Sequence, residues 1–307
     1  MTHAVVFAYH NVGVRCLAVL LAHGIDVPLV VTHEDNPGEN VWFESVASLA
    51  RLHGIETATP ADPNDPAFVA RLAALRPDHL FSFYYRQMLS PAVLATAARG
   101  AFNMHGSLLP KYRGRVPVNW AIVHGERETG ATLHEMVEKP DAGRIVDQQA
   151  VPILPNDTAH DVFAKVTVAA ELTLDRSVPR LVDGTAVLSP QDLSRGSYFG
   201  GRKPADGRID WRGDAWSVHN LVRAVAPPYP GAFAFVDGAE LRVLRTFWDG
   251  RRDTSGPRPA LFGADGALWL RCADGGVLRV LAAEFAGAPL DAENFRSRFP
   301  AGAVSLT

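Results

Sequence analysis

Phe102-Asn103-Met104-His105-Gly106-Ser107-Leu108-Leu109-Pro110-Lys111-Tyr112-Arg113-Gly114 reads as a strand that runs into a series of turns. Asn103 and His105 are two residues apart, so in extended backbone their side chains project to the same side. Gly106, Pro110 and Gly114 then bend the chain. A short helix, a return strand and a loop ending in Asp141-Ala142-Gly143 follow. The return strand is placed to bring Asp141 back to the end that carries Asn103 and His105. An amide donor, a titrating imidazole and a carboxylate are suited to moving an acyl group onto an amine.

The residues upstream supply the frame. An apolar run at 4–9 predicts a buried strand, followed by a turn at His10-Asn11-Val12-Gly13 and a helix over 14–23 stopped by Gly24. A strand at 27–31, a polar loop at 32–39 and a helix over 41–52 come next. Asp65-Pro66 opens a further helix that ends before Pro77, with Asp as cap and Pro in the first turn. A strand at 80–83 and a helix at 91–98 complete the pattern. Alternating strands and helices predict an α/β, Rossmann-like doubly wound domain. Ligands in such sheets bind beyond the C-terminal ends of the strands, where Asn103 and His105 fall.

Downstream, a strand at 145–153 leads to a long helix capped by Asp157-Thr158, with Pro179 and Gly184 marking its end. Residues 191–206 are rich in Gly, Ser, Pro and charge and are expected to be a linker. Beyond it, Asp214 caps a helix to about 225. Asp237-Gly238, Asp265-Gly266 and Asp274-Gly275 then separate short strands, a hairpin pattern. The expected division is a catalytic domain at 1–190 and a small OB-like β-barrel domain at 207–307.

A length of 307 residues favours two domains over one. The net charge of -3 gives no global attraction to nucleic acid or to an acidic membrane. No apolar run is long enough to span a bilayer, and the N-terminus has no signal-type core. Cys16 and Cys272 are far apart and make no metal spacing, so a reduced, cytoplasmic protein is expected. None of the eleven histidines forms His-Glu-x-x-His, and the glycines make no phosphate loop. No metal is expected.

The segment Asn103 to Pro110, with Asp141-Ala142-Gly143, resembles the signature of the folate-dependent formyltransferases. These include methionyl-tRNA formyltransferase, sugar N-formyltransferases and, more distantly, glycinamide ribonucleotide transformylase. Phe7-Ala8-Tyr9-His10, the run from Thr32 to Glu39, and Phe81-Ser82-Phe83-Tyr84-Tyr85-Arg86 extend the resemblance. They are similar to the formyltransferase half of the bifunctional polymyxin-resistance enzymes, which act on UDP-4-amino-4-deoxy-L-arabinose. The likeness runs from about Val5 to Gly231, and these 307 residues hold no counterpart of the dehydrogenase half.

The resemblance implies a formyl transfer from 10-formyltetrahydrofolate in which Asn103, His105 and Asp141 are catalytic. Asn103 would hold the oxyanion. His105 would stabilise the same oxygen and protonate the departing folate nitrogen. Asp141 would orient His105 or take the amine's proton, directly or through water. It also implies folate contacts at Gln87, Met88 and Leu89, at Val137, Glu138, Lys139, Pro140 and Asp141, and at Arg115. A flat heteroaromatic needs an apolar slot with a few backbone donors and acceptors. For an anionic nucleotide sugar, Tyr9, His10, Arg86, Lys111, Arg113 and Arg202 are the candidates.

Within the family a tRNA acceptor is the main alternative. It demands neutralisation of phosphates by a basic stripe or loop. The corresponding loop here is His33-Glu34-Asp35-Asn36-Pro37-Gly38-Glu39-Asn40, which is acidic. The expected acceptor is therefore a small nucleotide-linked amino sugar, with aminoarabinose favoured and a product that would feed lipid A modification.

Overall fold

The computed structural model describes residues 2–256 and 258–306, so Met1 and Thr307, the ends of the two expected domains, lie outside it. The described chain divides into two compact units. The first comprises residues 1–117, 129–151 and 164–200; the second comprises 118–128, 152–163 and 201–307.

The first unit carries β1 (His3–Ala8), α1 (His10–Ala22), β2 (Asp26–Val31), α2 (Val46–Leu52), β3 (Glu56–Ala58), α3 (Pro66–Ala74), β4 (His79–Phe83), α4 (Pro91–Leu94) and β5 (Ala101–His105). The two-residue β6 (Arg113–Gly114) follows, then β7 (Glu128–Glu135), β8 (Ile145–Pro152), α6 (Ala159–Val182) and β9 (Tyr198–Phe199), while α5 (Pro117–Val123), between β6 and β7, falls in the second unit from Val118 on. Unit boundaries fall inside α5, at the end of β8 and inside α6. The main sheet has the order β3-β2-β1-β4-β5-β7-β8. β1 is parallel to β2 and β4, and β4 is parallel to β5, whereas β7 is antiparallel to β5. The sheet is thus doubly wound with a reversed strand added. β1 is buried on both faces, which is why its sequence is an unbroken apolar run. Val5, Phe7, Leu29, Val31, Leu72, Leu80, Val93 and Ala101 form one core cluster in this unit.

Several boundaries differ from the sequence reading. α1 starts at His10, with no turn before it. Gly13 lies inside that helix because the helix passes close to β1 and α2: a Cβ there would sit 3.0 Å from Val46 and 3.1 Å from Ala8. α2 begins at Val46, since the Ser45 side chain caps it by accepting from the Ser48 N–H at 3.2 Å. α6 passes through Pro179 to Val182. α3 starts as expected, the Asp65 carboxylate accepting from the Ala67 N–H at 2.9 Å.

The second unit is an antiparallel sheet curled into a half-barrel, with α7 (Ala215–Ala224) packed on it. Its strands are β10 (Ala232–Val236), β11 (Ala239–Phe247), β12 (Ala260–Ala264), β13 (Ala267–Arg271), β14 (Val277–Phe285), β15 (Ala288–Pro289) and β16 (Ala303–Ser305), with α8 (Ala292–Arg298) before the last. The order is β10-β11-β14-β13-β12-β16. Asp237-Gly238 and Asp265-Gly266 make the β10–β11 and β12–β13 turns with positive φ at both residues, the geometry that matches strand twist. Among the described residues no helix is long and apolar enough to cross a membrane.

Candidate active site

The strand order reverses between β1 and β4, so the crevice beyond their C-terminal ends is the expected ligand position. Tyr9 and His10 leave the end of β1, Tyr84 to Leu89 leave β4, and His105 ends β5.

Asn103, His105 and Asp141 meet in one cluster of the first unit. His105 is buried, and its Nε2–H donates to the Tyr112 carbonyl at 2.8 Å. Its Nδ1 faces Asp141 Oδ1 at 3.6 Å, an ion-pair separation rather than a hydrogen bond. The Gly114 N–H donates to Asp141 Oδ2 at 2.8 Å. Burial alone would raise the Asp141 pKa, but the charge of His105, the bond and charge of His134 and the Gly114 N–H outweigh it. Together they hold Asp141 well below the usual carboxylate range, so it is ionised at neutral pH.

His134 was not singled out in the sequence, and it completes the cluster. It lies opposite Asn103 in the β5–β7 register. Its Nδ1–H donates to the Glu135 carbonyl at 2.8 Å. When the ring is neutral, Nε2 is therefore the acceptor, and the Asn103 amide donates to it at 3.1 Å. The same Nε2 is 3.5 Å from Asp141 Oδ1. Protonated, it can only donate, and Asp141 is then its acceptor.

The loop carrying Asp141 is tightly determined. Asp141 has φ 51°. A Cβ on Gly143 would lie 1.9 Å from the Glu135 carbonyl oxygen, so only glycine fits. The Gln191 amide donates to the Asp141 carbonyl at 3.1 Å and to the Gly143 carbonyl at 2.6 Å. β9 pairs with β6 next to it. Residues 191–200 are thus built into the first unit, where the sequence reading placed a domain linker at 191–206. His10, Tyr84, Tyr112 and Val116 also have left-handed φ, a conformation that costs roughly 1–3 kcal/mol per residue and concentrates at functional sites.

Ser107 and Thr132 shape the turn after β5. Thr132 Oγ1 donates to the Ser107 carbonyl at 2.6 Å and accepts from the Gln148 amide at 2.8 Å. Ser107 Oγ donates to the Lys111 carbonyl at 2.7 Å. A Cβ on Gly106 would fall 2.0 Å from the Tyr84 hydroxyl oxygen, so glycine lets the Tyr84 ring approach.

At the expected folate positions, Asn64 clamps the chain: its amide donates to the Met88 carbonyl at 3.0 Å and its Oδ1 accepts from the Ser90 N–H at 2.7 Å. Gln87 is tied to the Ala61 carbonyl at 2.9 Å. The Met88 side chain is 62% exposed and is not core. Leu89 and Met136 pack against the same core cluster. Val137, Glu138 and Lys139 are exposed, and Pro140 is half-buried. Arg115 is exposed and is held by its backbone N–H on the Phe199 carbonyl at 2.9 Å.

The candidates for an anionic acceptor do not form one group. Arg86 is committed to Glu39 through two bonds of 2.7 and 2.6 Å, and its guanidinium lies 4.6 Å from the centre of the Tyr9 ring. Sequence reasoning had not foreseen this pairing of the candidate Arg86 with Glu39. The Tyr9 hydroxyl donates to Asp35 at 2.6 Å, and burial with that bond pushes its pKa up to about 12. Arg86 offsets the charge of Glu39 in the acidic loop 32–39. His10 stacks on Phe43 with centroids 4.0 Å apart. Lys111 is exposed. Arg113 has a buried Nε that makes no hydrogen bond among the described residues. Arg202 belongs to the second unit, where it covers the Trp120 ring at 4.7 Å and donates to the Asp206 carbonyl at 2.6 Å. Among the described residues no group of three or more His, Cys, Asp or Glu could hold a metal ion.

The mixed sheet thus carries a buried imidazole–carboxylate–amide cluster at the C-terminal end of β5. The chain matches the family model described as formyl transferase over residues 15–177, and that described as formyl transferase, C-terminal domain, over residues 202–300. The chain belongs to the formyl transferase family and is a formyl-transferring enzyme. Among similar solved structures is the N-formyltransferase from Helicobacter canadensis in complex with folinic acid and dTDP-3-aminofucose. It has 20% identity and a TM-score of 0.73, with 91% of this chain and 99% of that chain covered. WlaRD, a sugar 3N-formyltransferase solved with dTDP and 5-N-formyl-tetrahydrofolate, matches at 20% identity and TM-score 0.72, covering 91% of this chain and 97% of that one. HypX from Aquifex aeolicus in complex with tetrahydrofolic acid matches at 18% and 0.64, covering 97% of this chain and 47% of that one. At these identities the likeness is one of fold.

Proposed function

We propose that the enzyme transfers the formyl group of 10-formyltetrahydrofolate to the amine of a nucleotide-linked amino sugar, and that the acceptor is UDP-4-amino-4-deoxy-L-arabinose. The observation that carries the reaction is the convergence of His105 Nδ1 on Asp141 Oδ1 at 3.6 Å, with Asn103 in the same hydrogen-bonded cluster through His134. The acceptor class is supported by the amino-sugar nucleotide named with the Helicobacter structure. The choice of aminoarabinose rests on the run from Thr32 to Glu39 and on Phe81 to Arg86. In that setting the product would serve lipid A modification.

The acceptor nitrogen attacks the formyl carbon, a C–N bond forms, and the carbonyl oxygen takes the negative charge. Asn103 supplies an amide N–H to that oxygen, an interaction worth roughly 3–4 kcal/mol in comparable sites. His105 Nε2 is occupied by the Tyr112 carbonyl. Charge and a proton therefore reach the reacting centre through Nδ1, which ionised Asp141 faces. The C–N bond to folate then breaks, His105 protonates the departing nitrogen, and the proton lost by the amine returns through Asp141 or water. The products are the formamide and tetrahydrofolate. The folate lies against residues 87–89 and 137–141 and Arg115.

The test is release of tetrahydrofolate with UDP-4-amino-4-deoxy-L-arabinose, dTDP-3-aminofucose and methionyl-tRNA as competing acceptors. Turnover with the UDP sugar, lost in His105→Ala, is expected. Turnover confined to tRNA, with binding that falls steeply as salt rises, would overturn the acceptor. Turnover confined to the dTDP sugar would keep the chemistry and replace the sugar.

A further inference from the structure

Residues 189–199 lie wholly in the first unit and include no member of the cluster just described. They nevertheless touch, at three places, the groups that hold His105 and Asp141.

The first place is the loop bearing Asp141. Ser189 and Ile145 exchange both backbone bonds, each 2.8 Å, which fastens this strap next to the end of that loop. Two residues on, the Gln191 amide donates to the Asp141 and Gly143 carbonyls at 3.1 and 2.6 Å. Two carbonyls can be met only by the NH2 side of the amide, so it has one orientation. The backbone it braces includes Asp141 at φ 51°. A non-glycine residue in that region persists only where its surroundings over-determine it.

The second place is the anchor of His105. Ser197 Oγ accepts from the Tyr112 N–H at 2.8 Å. The carbonyl of the same Tyr112 takes the His105 Nε2–H at 2.8 Å. Tyr112 is itself left-handed, at φ 57°, and its ring stacks on Phe199 with centroids 5.4 Å apart. The third place is the β6–β9 pair. The Arg113 N–H donates to the Ser197 carbonyl at 3.0 Å, and the Arg115 N–H to the Phe199 carbonyl at 2.9 Å. Between them the Gly114 N–H donates instead to Asp141 Oδ2 at 2.8 Å. The strap is pressed close: a Cβ on Gly196 would collide with the Pro110 carbonyl.

His105 Nδ1 and Asp141 Oδ1, 3.6 Å apart, make no hydrogen bond of their own. Their spacing is therefore set by what holds each partner from outside. We propose that Gln191 and Ser197 are positioning residues for the reaction, Gln191 acting through the Asp141 backbone and Ser197 through Tyr112, so that one strap sets the separation of the pair. This rests on the reading that His105 and Asp141 carry the proton transfers. Neither Gln191 nor Ser197 is assigned a contact with the reacting atoms.

Gln191→Met keeps the length of the side chain and removes both donors. Ser197→Ala removes the acceptor for Tyr112, and Ser197→Thr retains it. Displacements of about 1 Å can cost on the order of 10²-fold in rate, so kcat should fall about 10- to 100-fold in Gln191→Met and Ser197→Ala. KM for both substrates should stay unchanged, and Ser197→Thr should restore kcat. Two NMR readouts on the free protein report the geometry without catalysis. The Asp141 carboxyl 13C resonance should titrate below the ordinary carboxylate range in the wild type. In Gln191→Met its midpoint should rise toward about 3.9, as the carboxylate draws away from His105, His134 and the Gly114 N–H. The His105 ring 15N resonances should show the Nε2–H tautomer in the wild type and mixed tautomers in Ser197→Ala. A general loss of stability, followed by thermal melts, produces neither change. Unchanged kcat in the folded variants, or lowered kcat with both resonances unmoved, would overturn the proposal; either variant decides if the other does not fold. Should His105→Ala retain turnover, the reading of the site fails, while the two resonances still report whether the strap sets the separation.

Discussion

His134 stands opposite Asn103 across the β5–β7 pair, with its Nε2 3.1 Å from the Asn103 amide nitrogen. The imidazole is anchored at its far side by the Glu135 carbonyl, so it sets which way the amide turns. An amide that has lost this acceptor is free to rotate away from the reacting oxygen. His134→Phe preserves bulk and removes the acceptor. It is expected to lower kcat by about 10- to 100-fold, less than a whole oxyanion donor is worth, with little change in KM. The double variant with Asn103→Ala should be no worse than Asn103→Ala alone, since the two act as a unit. Steady-state kinetics on the four proteins checks this.

Asp141→Asn keeps an oxygen for the Gly114 N–H but loses the charge that faces His105 and His134. Turnover should fall by about 10²- to 10⁴-fold, the range of a lost acid–base component. A pH signature accompanies it. The folded-state pKa of Asp141 lies below its unfolded value, so its stabilisation is present above that unfolded value, about 3.9. It is lost as pH falls from there through the folded pKa. Denaturant melts should show the wild type ahead of Asp141→Asn at pH 7 and the gap closing below about pH 4.

Two buried neutral histidines act in the same direction over a higher pH window. His79 and His219 are both pushed down to about 4, first by burial, with neighbouring Arg99 and Arg223 in turn adding to it. His219 accepts at Nδ1 from the Thr246 hydroxyl at 2.7 Å and donates from Nε2 to the Pro155 carbonyl at 2.9 Å. Between pH 6.5 and 4 the unfolded chain binds protons that the folded chain refuses, so stability falls as pH falls through that window. A drop from 6.5 to about 4 is worth on the order of 3 kcal/mol for each ring. His219→Gln should flatten the profile of denaturant melts between pH 6.5 and 4 while lowering stability at pH 7.

Gly143→Ala places a methyl against the Glu135 carbonyl. Overpacking of this kind costs about 1–3 kcal/mol, and the loop can relieve it only by shifting Asp141. A lower thermal midpoint together with a drop in kcat is expected. An unchanged kcat would show that the position of Asp141 tolerates the shift.

Much of the site was legible in the sequence because its signals are local. The i, i+2 spacing of Asn103 and His105 on a strand end, the turn glycines at 106 and 114, and the Asp-Gly hairpins each express a backbone preference that spans only a few residues. The alternation of apolar runs with capped helices likewise determined the doubly wound domain, since burial on both faces demands an unbroken apolar strand. The tertiary structure decided the rest. That β7 lies antiparallel beside β5, and so sets His134 against Asn103, depends on pairing between residues 31 apart, for which no local propensity speaks. Gln191 reads as linker until its amide is seen holding the carbonyls of Asp141 and Gly143. Arg86 reads as a free cation until Glu39 is found against it. In each case the role of a polar group is set by the partner that satisfies it in a buried setting, and that partner is supplied by the fold.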